Sequence, residues 1–473
     1  MLRSTKIVAT LGPASSDPAT LERMVRSGVD VVRLNFSHGA AEDHLARAAL
    51  VKEISRKAGR TVGIMCDLQG PKIRVGKFKD GKVTLAKGQK FVLDATCELG
   101  DDARVGLDYK ELPRDVAEGA VLLLDDGKIV LDVTAVRGEA VYTTVRHGGV
   151  LSNNKGINRQ GGGLTAPALT PKDIEDIRTA AKINADYLAV SFPKSGADMY
   201  MARELLRASG GKALLIAKIE RAEAVTQAAL LDIMRACDGI MVARGDLAVE
   251  VGDASVPALQ KKMIRLAREH NKLTITATQM MESMIASPVP TRAEVSDVAN
   301  AVLDGTDAVM LSAESASGRY PVEAIEAMDR ICIEAEQSQP VTLEQEFLNR
   351  VFTRVDQSIA MAGLFTAFHL KVKAIATLTE SGSTALWMSR LNCGVPIYAL
   401  TSQTATRYRC ALFRDVYPLM VQYVGHDREA LLVEAEKVLV DNGVVEDGDL
   451  IVITIGEPIG KAGGTNTMKI VKV

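Results

Sequence analysis

A chain of 473 residues, 47% hydrophobic and 25% charged, can bury large cores and is too long for one of them, so two or three domains are expected. Its formal charge of -2 is spread over mixed signs with no long basic run, which excludes an electrostatic footprint for nucleic acid or an anionic membrane. The six cysteines lack CxxC spacing, no apolar run approaches the roughly 20 residues of a membrane helix, and the start MLRSTKIVATLG has no signal-peptide pattern; the expected location is the cytoplasm.

Along the chain, short runs rich in Val and Ile alternate with helix-like segments, the pattern of βα units around a parallel sheet. Eight such runs begin near Lys6, Val31, Val62, Tyr187, Leu214, Gly239, Thr274 and Ala308. Helix starts are marked at Asp17-Pro18 and Thr170-Pro171, where proline fits the first turn and its neighbour can cap. Far more chain separates the third run from the fourth than any other pair. That insert holds VGKF, KVTLAKG, FVLDA, AVLLLDDGKIVLDV and AVYTTVRHGG, short strands broken by Gly and Asp turns. After about Ser338, AIATLTESG, PIYALTS and DLIVITIG start a further helix and strand alternation. The expected fold class is α/β: a (β/α)8 barrel over residues 1–74 and 159–338, an inserted all-β lid domain at 75–158, and a C-terminal open α/β domain at 339–473.

Polar residues gather where the barrel strands end, and barrel active sites lie on that face. The second strand ends in Arg33, Asn35, Ser37 and His38, and the third in Asp67, followed by Lys72 and Arg74. Later strands end in Lys218 and Glu220, Arg244 and Asp246, Thr278 and Gln279, and Ser312 and Glu314. Glu220 and Asp246 are hard oxygen donors on adjacent strands, suited to Mg2+ or Mn2+ with the remaining positions left to substrate and water; the other reading pairs them with Arg221 or Arg244. Lys218, two residues before Glu220, shares its face of the strand and would stand beside the metal, placed to neutralise a phosphoryl group in flight. A barrel aldolase or lyase using Lys218 as a Schiff base is the rival chemistry, disfavoured because neighbouring carboxylates keep a lysine protonated. A catalytically silent sugar-phosphate sensor would require a broken site. Arg33 and Arg74 offer planar donors for phosphate or carboxylate.

In order and across nearly the whole chain, TKIVATLGPAS, RLNFSHG, DLQGPKIR, SNNKGIN, AKIERAEA, DGIMVARGDL, ATQMMESM, PTRAEVSDVANAVLDGTDAVMLSAE and GGTNTM resemble pyruvate kinases. The resemblance implies transfer of the phosphoryl group of phosphoenolpyruvate to ADP, a regulatory C-terminal domain and a homotetramer. It makes Glu220 and Asp246 similar to the divalent-metal ligands and Lys218 to the lysine that stabilises the transferred group. It places Thr278 near the enolate, where proton delivery is organised, and the Ala243 and Gly245 backbone at the substrate carboxylate. Arg33, Asn35, His38, Arg74 and Lys155 resemble nucleotide or phosphate contacts, and Asp126 a lid residue that approaches on closure. Many members carry glutamate at the position of Lys72 and complete the site with K+ beside residues similar to Asn35, Ser37 and Asp67. The combination of Leu68, Gln69, Lys72 and Val75 resembles members that do not need K+, and an ammonium can supply the missing charge.

Thr379, Ser381, Ser383 and Thr384 surround Gly382 at a strand end opening into a helix, which reads either as a phosphate cradle or as a plain capped turn. The resemblance makes this loop an effector site. The resemblance also implies that the segment Gly456 to Asn466 faces this loop, and its one cation, Lys461, favours a sugar monophosphate or AMP over a bisphosphate. The string SAESASG departs from the usual family pattern at Ser315 and Ser317.

Overall fold

The structure is a computed structural model that describes residues 2–338, 351–422 and 427–473. Eight parallel strands close into a barrel: β1 (Lys6–Thr10), β2 (Val31–Asn35), β3 (Gly63–Asp67), β4 (Tyr187–Val190), β5 (Leu214–Ile219), β6 (Gly239–Ala243), β7 (Leu273–Ala277) and β8 (Ala308–Leu311). Each is buried on both faces, because helices cover the outside and side chains fill the inside. Val32, Leu34, Ile64, Cys66, Leu188 and Val190 pack outward under the helices, whereas Val31, Met65, Tyr187, Ile216, Met241 and Ile275 belong to a second cluster. The two proline-marked helix starts are capped as the sequence indicates: Asp17 accepts from Thr20 N at 2.8 Å, and Thr170 and Asp173 form a reciprocal capping box.

Between β3 and β4 the chain forms a separate, mainly antiparallel structure with its own core of Phe91, Leu93, Leu122, Leu131 and Val141. Its six-stranded sheet runs in the order Ile157–Arg159, Val121–Leu124, Ile129–Arg137, Ala140–His147, Lys90–Asp94 and Arg104–Val105. The run AVLLLDDGKIVLDV is two strands about a tight turn, with Asp125 and Asp126 in left-handed conformation at φ 50° and 56°. Because this unit leaves the barrel after β3, it stands over the C-terminal ends of the strands.

The C-terminal sheet is β9 (Ala374–Leu378), β10 (Ile397–Thr401), β11 (Val416–Met420), β12 (Leu450–Gly456) and β13 (Thr465–Lys472), ordered β11-β10-β9-β12-β13. Two of these strands are not among the three sequence runs singled out: Pro418 interrupts β11, and β13 is polar because it is an edge strand. The junction expected at residue 339 opens a stretch, 339–350, that lies outside the described residues. The C-terminal domain closes the N-terminal end of the barrel, where Ala360, Leu364, Ile375 and Phe413 extend the inner barrel cluster. Polar contacts seal that seam: Lys6 Nζ donates to Val416 O at 2.7 Å, and Arg390 forms a buried ion pair with Asp307, the residue before β8.

Candidate active site

The centre of the barrel mouth is Lys218, carried near the end of β5. Its ammonium donates to Ser191 Oγ at 2.7 Å and lies 3.0 Å from Glu220 Oε1 and 3.4 Å from Asp67 Oδ1. Burial alone would lower its pKa, but the carboxylates of Asp67 and Glu220 overcome it and hold Lys218 above the ordinary lysine value. A lysine so protonated is a fixed cation and a poor imine-forming nucleophile, which argues against the Schiff-base alternative.

Glu220 is 1% exposed and accepts the Phe192 N–H at 2.8 Å. Burial pushes its carboxyl up to about 7 against the attraction of Lys218, and the neighbouring charge of Asp246 pushes in the same direction. The pairing of these carboxylates with Arg221 or Arg244 is not what the structure holds. Arg221 donates to Leu164 O and lies over the Phe192 ring, and Arg244 pairs with Asp297 at 2.7 Å. Two hard carboxylates without an arginine partner fit a divalent ion, and Asp67 Oδ1 is a buried oxygen without a hydrogen-bond donor. Among the described residues no group of three or more His, Cys, Asp or Glu forms an all-protein cage. Two protein carboxylates would leave several positions of an Mg2+ ion to water and phosphate.

Arg33 reaches across to Asp67 Oδ2 at 2.6 Å and to Thr10 Oγ1 at 3.1 Å, so its fork is set by the third and first strands. Asn35 Oδ1 accepts the Ser37 N–H, shaping the loop that carries exposed His38. Lys72 occupies a different place from the cluster of Asn35, Ser37 and Asp67. Its ammonium is 3.6 Å from Asp246 Oδ1 and 3.8 Å from Asp126 Oδ1 of the lid, so it bridges lid and barrel. Lys155 lies 2.8 Å from Asp125, and Arg74 donates to Asn154 O, which puts both cations at the lid hinge.

Ala243 ends β6, and the Gly245 N–H donates to Thr278 Oγ1 at 2.8 Å. Thr278 and Gln279 follow β7 with φ of 64° and 52°. Glu314 is turned inward: it accepts the Met281 and Ser312 N–H groups and so braces loops instead of facing the mouth. Ser315, in the departing string SAESASG, is fully buried and donates to Thr10 O at 2.9 Å, whereas Ser317 is exposed. Two site residues escaped the sequence reading, Thr10 and Ser191. Thr10 ends β1 and Ser191 directly follows β4, the two strands at whose ends no polar residue was singled out, and the strand-end rule itself would have found them.

In the C-terminal domain, Thr379, Glu380 and Thr384 line a cavity of about 190 Å³ with Lys461 and Thr465. Thr379 Oγ1 accepts the Gly382 N–H, Ser381 Oγ donates to Ser383 Oγ, and buried Thr384 shares a hydrogen bond with Thr465 at 2.7 Å.

A lysine between carboxylates, at the mouth of a barrel and beneath a lid, is placed where it can meet an anionic group. Residues 2–325 match the family model described as pyruvate kinase, barrel domain, and residues 357–471 match pyruvate kinase, alpha/beta domain. The chain is 53% identical over 476 residues to pyruvate kinase II of Salmonella typhimurium, covering all of this chain and 99% of the relative. It is 51% identical to the pyruvate kinase of Haemophilus influenzae over 96% of both chains. With the pyruvate kinase of Geobacillus stearothermophilus it shares 42% identity over 99% of this chain and 80% of that one. The chain belongs to the pyruvate kinase family. It is a glycolytic phosphotransferase, for which phosphoenolpyruvate and ADP are the expected substrates, and the family generally uses Mg2+ and K+. No described helix is long and apolar enough to cross a membrane.

Proposed function

We propose that Lys218 is the residue that stabilises the phosphoryl group as it passes from phosphoenolpyruvate to ADP. The observation that carries this reading is its nearly buried Nζ, held within 3.4 Å of Glu220, Asp67 and Ser191. A cation fixed in advance meets negative charge without reorganising as the bond breaks. Glu220 and Asp246 would hold Mg2+ or Mn2+, which when bound supplies Lewis-acid stabilisation of the phosphoryl oxygens. The Ala243 and Gly245 backbone receives the substrate carboxylate, and Thr278 organises the proton that reaches carbon three of the enolate. Arg33 contacts phosphate while held by Asp67, and Asn35, His38, Arg74 and Lys155 bind the nucleotide, the last two moving with the lid that carries Asp126. Replacing Lys218 by methionine is expected to leave both substrates bound and to lower phosphoryl transfer by about 100-fold or more, read as pyruvate formed from phosphoenolpyruvate and ADP. Near-normal turnover in that variant would overturn the assignment.

Activity is proposed to be independent of K+, with Lys72 supplying a standing positive charge from the Asp246 side of the mouth. The charge lies 3.6 Å from Asp246, which supports this reading, while Asn35, Ser37 and Asp67 remain as a remnant of the monovalent site. Rates in Na+ and K+ salts should agree, and several-fold stimulation by K+ would refute the proposal. The loop of Thr379, Ser381, Ser383 and Thr384, of which Thr379 and Thr384 line the cavity, is proposed to take a sugar monophosphate or AMP, since Lys461 is the one cation among the described lining residues. Titration against the phosphoenolpyruvate saturation curve tests this, and activation by fructose 1,6-bisphosphate alone would contradict it. A homotetramer is supported by the exposed apolar side chains Val355, Phe365, Leu370 and Ile470 on the C-terminal domain, and a cytoplasmic location by six free cysteines.

A further inference from the structure

Thr278 is held in a backbone conformation that a β-branched side chain rarely adopts, with φ of 64°, and Gln279 follows at 52°. Such a turn persists only where its surroundings over-determine it, and one guanidinium does so here. Arg244, 8% exposed, opens the helix Arg244–Val251 that follows β6. Its Nε donates to Ala277 O at 3.3 Å and Thr278 O at 3.2 Å, and its Nη2 to Thr278 O at 2.7 Å and Gln279 O at 3.1 Å. Three successive carbonyls therefore converge on one side chain. The remaining arm, Nη1, is fixed 2.7 Å from Asp297 on the helix Arg292–Leu303. Immediately after Arg244, the Gly245 N–H donates to Thr278 Oγ1, and that hydroxyl donates to Ala277 O at 2.7 Å. The hydroxyl direction is thus set on one side by the segment that follows β6 and on the other by the end of β7.

We propose that Arg244, braced by Asp297, is a positioning residue that sets Thr278 for the proton-transfer half of the reaction. The inference rests on the role given above to Thr278. Once the phosphoryl group has left, the enolate accepts a proton at carbon three: the carbon–carbon double-bond pair forms the new C–H bond, and the oxygen pair on carbon two closes the carbonyl. The proton comes from water and is guided past Thr278 Oγ1. On the phosphoryl side Lys218 is held by Asp67, Glu220 and Ser191, none of which bonds to Arg244, so Lys218 and Thr278 depend on different supports. A lysine at position 244 would keep the charge but offer one point donor in place of a planar fork, and could not hold three carbonyls at once.

The test uses the full chain with Mg2+ and compares two readouts in Arg244→Lys. One is exchange of the carbon-three hydrogens of pyruvate for deuterium in D2O with ATP present; the other is ATP formed from phosphoenolpyruvate and ADP in a single turnover. Exchange is expected to fall by roughly 100-fold, the scale of a small misplacement of a reacting group, with a much smaller fall in ATP formation. In a Thr278→Val background, Arg244→Lys should lower exchange little further, since it acts through Thr278. Equal losses in both readouts, unchanged exchange, or full additivity with Thr278→Val would overturn the proposal. Unchanged exchange in Thr278→Val alone would instead overturn the role assigned to Thr278. Should Arg244→Lys fail to fold, Asp297→Asn carries the same comparison: a selective loss of exchange supports the proposal, and equal losses or none overturn it.

Discussion

Replacing Arg390 by methionine removes the buried ion pair that joins the C-terminal domain to the floor of the barrel. Arg390 and Asp307 are 3% and 1% exposed, and the guanidinium is bidentate, with Nη1 2.9 Å from Asp307 Oδ2 and Nη2 bonded to Oδ1. In the variant Asp307 keeps only its hydrogen bonds from the Thr274 N–H at 2.9 Å, the Thr274 hydroxyl and the Arg414 N–H, with no cation to balance a charge cut off from water. Breaking a buried pair from one side costs about 3–5 kcal/mol, because the remaining charge is left uncompensated. The chain has a single tryptophan, Trp387, in the helix that leads to Arg390, so its fluorescence in urea follows unfolding at this seam. With a slope of about 1–3 kcal/mol/M, the urea midpoint should fall by about 1 M or more. Asp307→Asn should do comparable harm by stranding the guanidinium, and combining it with Arg390→Met should recover part of the loss. An unchanged midpoint in Arg390→Met, or strict additivity in the double variant, would refute the reasoning.

Asp186 accepts the Ile64 N–H at 2.8 Å at the base of the barrel, and burial raises its carboxyl from 3.8 to about 6. Between those values the unfolded chain ionises while the folded protein keeps the proton, so this group removes stability as pH rises through the window. Asp186→Asn should therefore gain up to about 3 kcal/mol relative to the parent above pH 6, with the advantage vanishing below about pH 4, as urea titrations across pH would read. Thr170→Ala removes the cap that accepts the Asp173 N–H at 3.2 Å and should lower stability by about 1 kcal/mol, measured by thermal unfolding.

The barrel was legible because its strands are continuous apolar runs bounded by helical segments, and the lid because strand-like runs with Gly and Asp turns sit where only a helix is needed. The site was legible at the level of residue type, since Lys218, Glu220, Asp246, Asp67 and Arg33 all fall at strand ends. The partners of those residues were less so. Ser191 stands beside Lys218 only because β4 and β5 are neighbours in the barrel, and Asp67 meets Arg33 across the β2 and β3 ladder.

The sequence alone determined the architecture and the set of charged groups at the mouth, because periodicity and strand-end position are local properties of the chain. Tertiary structure decided what each charge does. It turned Arg244 from a possible partner of the carboxylate pair into a brace for the Thr278 loop, moved Glu314 from the mouth to a backbone support, and set Lys72 against Asp246 and the lid. The reason is reach: a long side chain at a strand end can point to several neighbours, and the packing of the loops around it selects one.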